Sequence, residues 1–354
     1  MSFRILCIGN QWRGSDDGSL FRAFARAGHL ISIVDDMMFI PWSTDSIAGK
    51  TIRTIGTRYL QKNYNDHIKR QTKIFKPDLV CVYKGTSVFS ETLSYIKTQG
   101  APIVCIYPDV SMFDHGKHIP ECIPLYDYIF TTKSFGIQDL RKHFQYVNAS
   151  VIRHCVDPEI HRPIDQTLLG KTDFRCDVSF IGTYSPKKEG LLKELLKLRP
   201  ELDLKIWGGY WHTSRNEKIL RAWQNMVILG DIYALAINAS CINLSILSEA
   251  GGKASSGDLI TARTFHIPGA GGFMLHERTP EVLEIFQEGK EVECFDSIEE
   301  LVEKIGFYLV HNDARVRIAQ EGHQKIMSAH TSDHRVAEII ETLTAIGILS
   351  AVGS

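Results

Sequence analysis

Short apolar runs alternate with amphipathic stretches along nearly the whole chain. Residues 4–9 read as a buried strand that opens into the polar loop 10–18. A helix follows, with Leu20, Phe21, Phe24 and Ala27 on one face and Gly28 as its stop. Strand patterns recur at residues 30–34, 78–83, 102–107, 126–131 and 151–152, separated by helical patterns at 53–75, 90–100 and 134–144. Residues 157–175 break the rhythm with a turn-rich stretch beginning Asp157-Pro158 and continuing through Arg162-Pro163. The alternation then restarts. Strands are expected at 177–181, 202–207, 241–247, 272–275 and 291–295, with a short extended piece at 226–229. Helices are expected at 187–198, 232–239, 261–269, 280–286, 298–311, 313–329 and 333–346. Strands alternating with helices imply parallel sheets with right-handed crossovers. The fold class is therefore α/β, with two Rossmann-like units. The expected division is 1–156 for the first domain, 157–175 for a linker, 176–330 for the second domain and 331–354 for a last helix.

Length and composition agree with this picture. The chain has 354 residues, enough for two cores. A formal net charge of −1 gives no reason to expect a nucleic-acid partner. The eight cysteines are scattered without a CxxC, as expected of buried free thiols in a reducing cytoplasm. The start of the chain is too short and strand-like for a signal peptide, and no run reaches the roughly 20 apolar residues of a membrane helix. A cytoplasmic protein is expected, with peripheral contact at the inner face of the membrane still open.

In an open parallel sheet, ligands bind outside the carboxyl ends of the strands, so the loops that follow strands carry the candidate chemistry. Gly182-Thr183-Tyr184-Ser185-Pro186-Lys187-Lys188 joins the first strand and helix of the second unit. Glycine lets a backbone approach a phosphate, and free N–H groups at the helix start point toward an anion. A loop of this kind opens any Rossmann unit, so it is weak by itself. More informative is Arg263-Thr264-Phe265-His266-Ile267-Pro268-Gly269-Ala270-Gly271-Gly272, where a helix ends in small residues and enters a strand. Arg263 can pair bidentately with a diphosphate; the alternative is a glycine-rich helix stop with a surface arginine. In the first unit, Asp16 or Asp17, Lys84 and Asp109 follow strands and could handle an acceptor hydroxyl or a leaving phosphate, or simply cap helices. His115, His118 and Asp114 are spaced too loosely for a metal and read as loop polarity. No GxGxxG follows either first strand, which argues against a nicotinamide-dependent oxidoreductase.

The segment 263–275 resembles the spore-maturation-type (CgeB-like) branch of the GT-B glycosyltransferases, which has an Arg, then Phe-Glu, a small Gly-rich stop and an apolar strand. Glu281 to Phe286, Gly289-Lys290-Glu291, Cys294-Phe295-Asp296, Arg315, Gly322, His330-Thr331 and Arg335 continue the likeness, which is good over 151–336 and only general before it. The resemblance implies two Rossmann-like domains facing a cleft, with the last helix crossing back to the first domain and the acceptor entering from that domain. It also implies metal-independent transfer of a sugar from a nucleoside diphosphate, with a lean toward retention. No cofactor is implied beyond the co-substrate, a UDP- or GDP-linked sugar. The acceptor is a glycan, lipid-linked or protein hydroxyl. By this resemblance Gly182, Thr183, Tyr184, Lys187, Lys188 and Arg263 would meet the leaving phosphate. The nucleoside would lie near Trp207, Gly208, Gly230, Tyr233 and His266, with Gly269, Ala270, Gly271 and Gly272 beside it. Asp16 and Asp109 would face the acceptor. Related retaining enzymes often carry Glu-x7-Glu where this chain has Asp258 and His266, so the ribose contact is the point of departure. A non-catalytic nucleotide-sugar or carbohydrate-binding protein of the same fold is the competing reading. Gly182, Arg263 and Gly271 are expected to converge on one cavity.

Overall fold

The computed structural model describes residues 2–40, 47–165 and 173–350, with the side chains of 47–55 outside that description. Two compact units result. The first comprises Met1–Arg153, Ala250–Ser256 and Ser332–Ser354; the second comprises His154–Glu249 and Gly257–Thr331.

The first unit is built on six parallel strands: β1 (Arg4–Ile8), β2 (Leu30–Val34), β3 (Leu79–Tyr83), β4 (Ile103–Tyr107), β5 (Tyr128–Thr131) and β6 (Ala149–Val151). Their order is β2-β1-β3-β4-β5-β6. Strand β4, Ile-Val-Cys-Ile-Tyr, is buried at all five positions, the continuous apolar run that a parallel strand covered on both faces requires. The connecting helices are α1 (Asp16–Arg26), α2 (Ile47–Phe75), α3 (Ser90–Thr98), the short α4 (His118–Cys122) and α5 (Gly136–Phe144). Chain order reverses between β1 and β3, so the crevice of this sheet lies between the loop after β1 and the turn after β3.

The second unit has five parallel strands: β7 (Cys176–Ile181), β8 (Leu204–Trp207), β9 (Ser240–Ser245), β10 (Met274–Glu277) and β11 (Glu293–Phe295), ordered β11-β10-β9-β7-β8. Its helices are α6 (Pro186–Leu198), α7 (Glu217–Ala222), α8 (Gly230–Ala239), α9 (Ala262–Gly269), α10 (Pro280–Ile285), α11 (Ile298–Val310) and α12 (Asn312–Ala329). The order reverses between β7 and β9, which makes the ends of those two strands the expected ligand position. Apolar clusters cover both faces of the sheet, one around Trp207, Phe265 and Ile237 and the other around Phe180, Trp211 and Leu244. The last helix, α13 (Ser332–Ala345), packs on α1 of the first unit, where Arg26 pairs with Asp333 at 2.8 Å and bonds Ser332 Oγ at 3.0 Å.

The boundaries differ from the sequence reading in three places. Residues 154–156, expected in the first domain, and 157–165, expected in the linker, belong to the second unit. Val156 is fully buried there, and its amide bonds His330 O at 2.9 Å. Of the rest of the expected linker, 166–172 lies outside the described residues and 173–175 belongs to the second unit. Ala250–Ser256, expected inside the second domain, packs with the first unit: Lys253 Nζ lies 4.5 Å from the Phe113 ring centre and the Ser255 amide bonds Asp139 Oδ2 at 3.0 Å. Gly251 and Gly252 permit this, because a Cβ at either would strike Asp114. Residues 226–229, expected to be a short extended piece, belong to no strand.

Candidate functional site

The site of the second unit is assembled at the reversal of strand order. Gly182 follows β7 directly, and Ile246 follows β9. Arg263, on the first turn of α9, reaches both. Its Nη2 donates to Ile246 O at 2.6 Å, and a Cβ on Gly182 would come within 2.9 Å of its Nη1. The guanidinium carbon lies 5.3 Å from the Phe180 ring centre, and Nε is buried without a hydrogen-bond partner. Thr261 and Thr264 form a capping box that fixes the start of α9 and therefore the base of Arg263. Burial pulls the Arg263 pKa down, while Tyr233, Asp258 and Glu277 nearby pull it up. The group stays charged in any case.

Lys188 is the second cation. It is 5% exposed, and its ammonium donates to Thr183 O at 3.2 Å and Ser248 Oγ at 3.1 Å. Burial, then repulsion from Arg263, lowers its pKa to about 8, against partial relief from Glu249 and Asp258. Two confined cations, both depressed by burial and Lys188 also by the charge of Arg263, form an electrostatic hole for an anion.

Gly208 keeps the floor of this site close. Its φ is +138°, and a Cβ there would collide with Gly182 O, so only glycine lets the turns after β7 and β8 meet. The Trp211 indole then donates to Gly182 O at 2.8 Å, and the Tyr184 amide bonds Gly209 O at 3.0 Å.

Other residues proposed from sequence have different partners. The N–H groups at the start of α6, expected to be open to a phosphate, are already engaged. Glu249 accepts from the Lys187 amide at 3.1 Å and from Ser185 Oγ at 2.8 Å, and Ser185 Oγ itself caps Lys188 N. A carboxylate at a helix N-terminus satisfies both the dipole and the orphan donors. Lys187 does not turn to Arg263; its ammonium pairs with Glu277 at 2.8 Å. Tyr184 donates to Glu189 at 2.8 Å and packs edge-on to Trp211, and Trp207 is buried in the core. Gly230 opens α8 at φ +58°, and Tyr233, three residues on, lies edge-on to His161 and His266.

His266 stacks on His161 at 4.0 Å between ring centres, and its Nε2 lies 3.1 Å from Cys155 O. The small residues after it serve packing. Gly269 admits Val156, Gly271 at φ +81° lies against Pro163, and Gly272 admits Ile237. Ala270 is fully buried, and its carbonyl accepts from Asn238. Gly182 and Arg263 thus lie side by side, whereas Gly271 packs against Pro163. The stretch that enters the unit at 156–163 fills the space that a ligand was expected to take.

The first unit brings charged groups to the carboxyl ends of β3 and β4. Lys84 follows β3 in a three-residue turn closed by Gly85 N–H to Tyr83 O at 2.7 Å, with Lys84 itself at φ +60°. A non-glycine residue held there costs about 1–3 kcal/mol. Its ammonium lies 2.7 Å from Asp109 Oδ2, and His115 Nε2 lies 3.1 Å from the same oxygen. Burial would raise the Asp109 pKa, but the His115 hydrogen bond and the Lys84 charge hold it well below the usual carboxylate range. That makes Asp109 a firmly ionised acceptor and a poor general base. Asp16 accepts a long bond from Tyr83 Oη at 3.5 Å. Asp17 is buried, takes the Gly18 amide at 3.1 Å and also the Asn10 amide, and has its pKa raised by burial to about 6; it shapes the loop after β1. Sequence reading took His115 for loop polarity and singled out neither Ser248 nor Glu249, because only the fold brings them beside Asp109 and Lys188. Among the described residues, no three His, Cys, Asp or Glu side chains gather as a metal site would require, and no helix is long and apolar enough to cross a membrane.

Residues 187–341 match the family model described as glycosyl transferase-like. No curated protein sequence matches the chain. Several solved structures share its fold. Sucrose-phosphate synthase from Thermosynechococcus elongatus superposes with a TM-score of 0.64 at 10% identity, over 97% of this chain and 98% of that one. Anabaena HepE, solved with UDP-glucose, gives 0.63 at 13% identity over 97% and 100%. The UDP-GlcNAc 2-epimerase of Neisseria meningitidis, bound to UDP-GlcNAc, gives 0.52 at 13% identity over 98% and 100%. At such identities the structures establish the fold alone. The chain has the GT-B fold, and its residues 187–341 form a glycosyl transferase-like segment.

Proposed function

We propose that the chain transfers a sugar from a UDP- or GDP-linked donor to a hydroxyl of a glycan, lipid-linked or protein acceptor. We infer that the second unit is of the spore-maturation type and that transfer proceeds with retention and without a metal. The observation that carries the reading is the pairing of Arg263 and Lys188 at the ends of β7 and β9. Both are depressed by burial, and Lys188 also by its neighbour's charge. When the bond between the anomeric carbon and the diphosphate breaks, negative charge grows on the departing phosphate. Preorganised cations beside Gly182 would stabilise it more than they stabilise the ground state. Asp258, close enough to act on both cations, is the candidate for a donor hydroxyl. HepE was solved with UDP-glucose, which supports a UDP-linked donor first. The buried free cysteines agree with a cytoplasmic site of action.

The test is a panel of UDP- and GDP-sugars incubated with the chain in EDTA, with products followed by proton NMR. Release of the nucleoside diphosphate together with an α-linked or free α-sugar, abolished in Arg263→Ala, is the expected result. Isomerisation of the sugar while it remains on the nucleotide would make the chain an epimerase. Full turnover by Arg263→Ala would remove the assigned site.

A further inference from the structure

The sheet of the first unit holds a polar cluster that the donor site does not use. Lys84 Nζ and His115 Nε2 both contact Asp109 Oδ2, at 2.7 and 3.1 Å. The three side chains are each about a third exposed. Among the described residues both contacts fall on one carboxylate oxygen, so Oδ1 keeps its lone pairs, Lys84 keeps two N–H donors, and His115 keeps Nδ1.

A structural ion cluster is the plain alternative, and the local backbone argues against it. Lys84 sits in the left-handed region inside a strained three-residue turn. The contacts that keep Asp109 ionised offset part of that strain. Strained backbone of this kind clusters at ligand-binding positions. The surroundings define the ligand. Asp36 lies close enough to Lys84 to feel its charge, with Asp35 beside it, and Asp114 lies near Tyr107 and Asp109. An anionic group would meet these carboxylates, whereas a neutral polyol would not. Adjacent sugar hydroxyls are both donors and acceptors, which is the pattern that Oδ1, an ammonium and an imidazole nitrogen can satisfy together. Trp12, half-buried in the loop after β1, and Tyr83, at the end of β3, are aromatic residues at the same carboxyl end of the sheet.

We propose that Lys84, Asp109 and His115 form a recognition site for a pair of adjacent hydroxyls on a neutral sugar, which is the acceptor of the transfer reaction. The proposal rests on the glycosyltransferase reading and narrows its acceptor to a carbohydrate. These are positioning residues: they hold the acceptor ring while a different hydroxyl reacts.

Saturation-transfer NMR on the full chain tests it, with UDP present. The probes are glucose, galactose, mannose and N-acetylglucosamine with their methyl glycosides, and glycerol 3-phosphate as the anionic arm. At least one neutral sugar is expected to bind. Its affinity should fall at least tenfold in Asp109→Asn and in Lys84→Gly, while glycerol 3-phosphate gives no signal. Lys84→Gly should melt no lower than the parent chain, because glycine relieves the turn. The shift in melting temperature that UDP produces should persist in both variants. Absence of binding by every neutral sugar would overturn the proposal, as would undiminished binding in Lys84→Gly or a clear loss of stability in that variant. Sugar binding without any UDP effect in the parent chain would leave this site standing and remove the donor reading instead.

Discussion

Lys188→Met is expected to raise the stability of the ligand-free chain and to weaken its hold on a nucleoside diphosphate at the same time. The lysine pKa falls from 10.5 to about 8 in the folded chain, first through burial and then through Arg263. A depression of that size corresponds to about 3 kcal/mol of destabilisation while the group is charged. Methionine removes the charge at similar volume but strips Thr183 O and Ser248 Oγ of a donor, which returns about 1–2 kcal/mol of that gain. A net stabilisation of about 1–2 kcal/mol at pH 7 follows, or a melting midpoint higher by about 2–6 °C.

The sign also sets a pH window. Below pH 8, folded and unfolded chains both carry the proton and the penalty is complete. Between 8 and 10.5 the folded lysine is neutral while the unfolded one is still charged, so the parent chain gains stability relative to the variant and the difference closes. Binding should move the other way: losing a charge-assisted contact to phosphate weakens UDP about tenfold or more. Thermal unfolding at pH 7 and pH 9.5, with and without UDP, checks both halves. A variant that melts lower than the parent at pH 7, with an unchanged response to UDP, would refute the reasoning.

Arg263→Lys keeps a charge but not the fork that spans Ile246 O and Gly182, so kcat should fall by about 100-fold or more with little change in fold, read by donor turnover and circular dichroism. Gly208→Ala should destabilise the second unit by about 2 kcal/mol or more and abolish UDP binding, because a Cβ there meets Gly182 O; denaturant midpoints measure the first and calorimetry the second. UDP affinity of the parent chain should weaken as pH rises through about 8, since the anion favours protonated Lys188; a flat profile from pH 7 to 9.5 would separate Lys188 from the phosphate.

The architecture was legible because both sheets are parallel. Runs such as Ile103–Tyr107 are apolar throughout, and the loops after them are polar, so strands and candidate loops could be marked by pattern alone. Arg263 was legible too, through its place ahead of a small-residue helix stop. The glycines of that stop were misread in purpose. Sequence marks a position that needs a small residue but does not say whether a ligand or a neighbouring chain fills the space. Here Val156, Pro163 and Ile237 fill it. The choice between Lys187 and Lys188 was likewise invisible: adjacent helix positions differ by about 100° in direction, and only the fold turns one to Glu277 and the other to the space beside Arg263. His115 was read as loop polarity because its partner Asp109 lies six residues away, at a spacing that belongs to no regular element. The passage of Ala250–Ser256 to the first unit left no periodic signal at all.

Calorimetric titration of UDP, and then GDP, into the chain in EDTA at pH 7 addresses the donor site most directly, with Arg263→Ala in parallel. One nucleoside diphosphate should bind with 1:1 stoichiometry and a Kd below about 1 mM, and the variant should show at least a tenfold loss. No heat from either nucleotide, or equal affinity in Arg263→Ala, would mean that the ends of β7 and β9 do not hold a pyrophosphate.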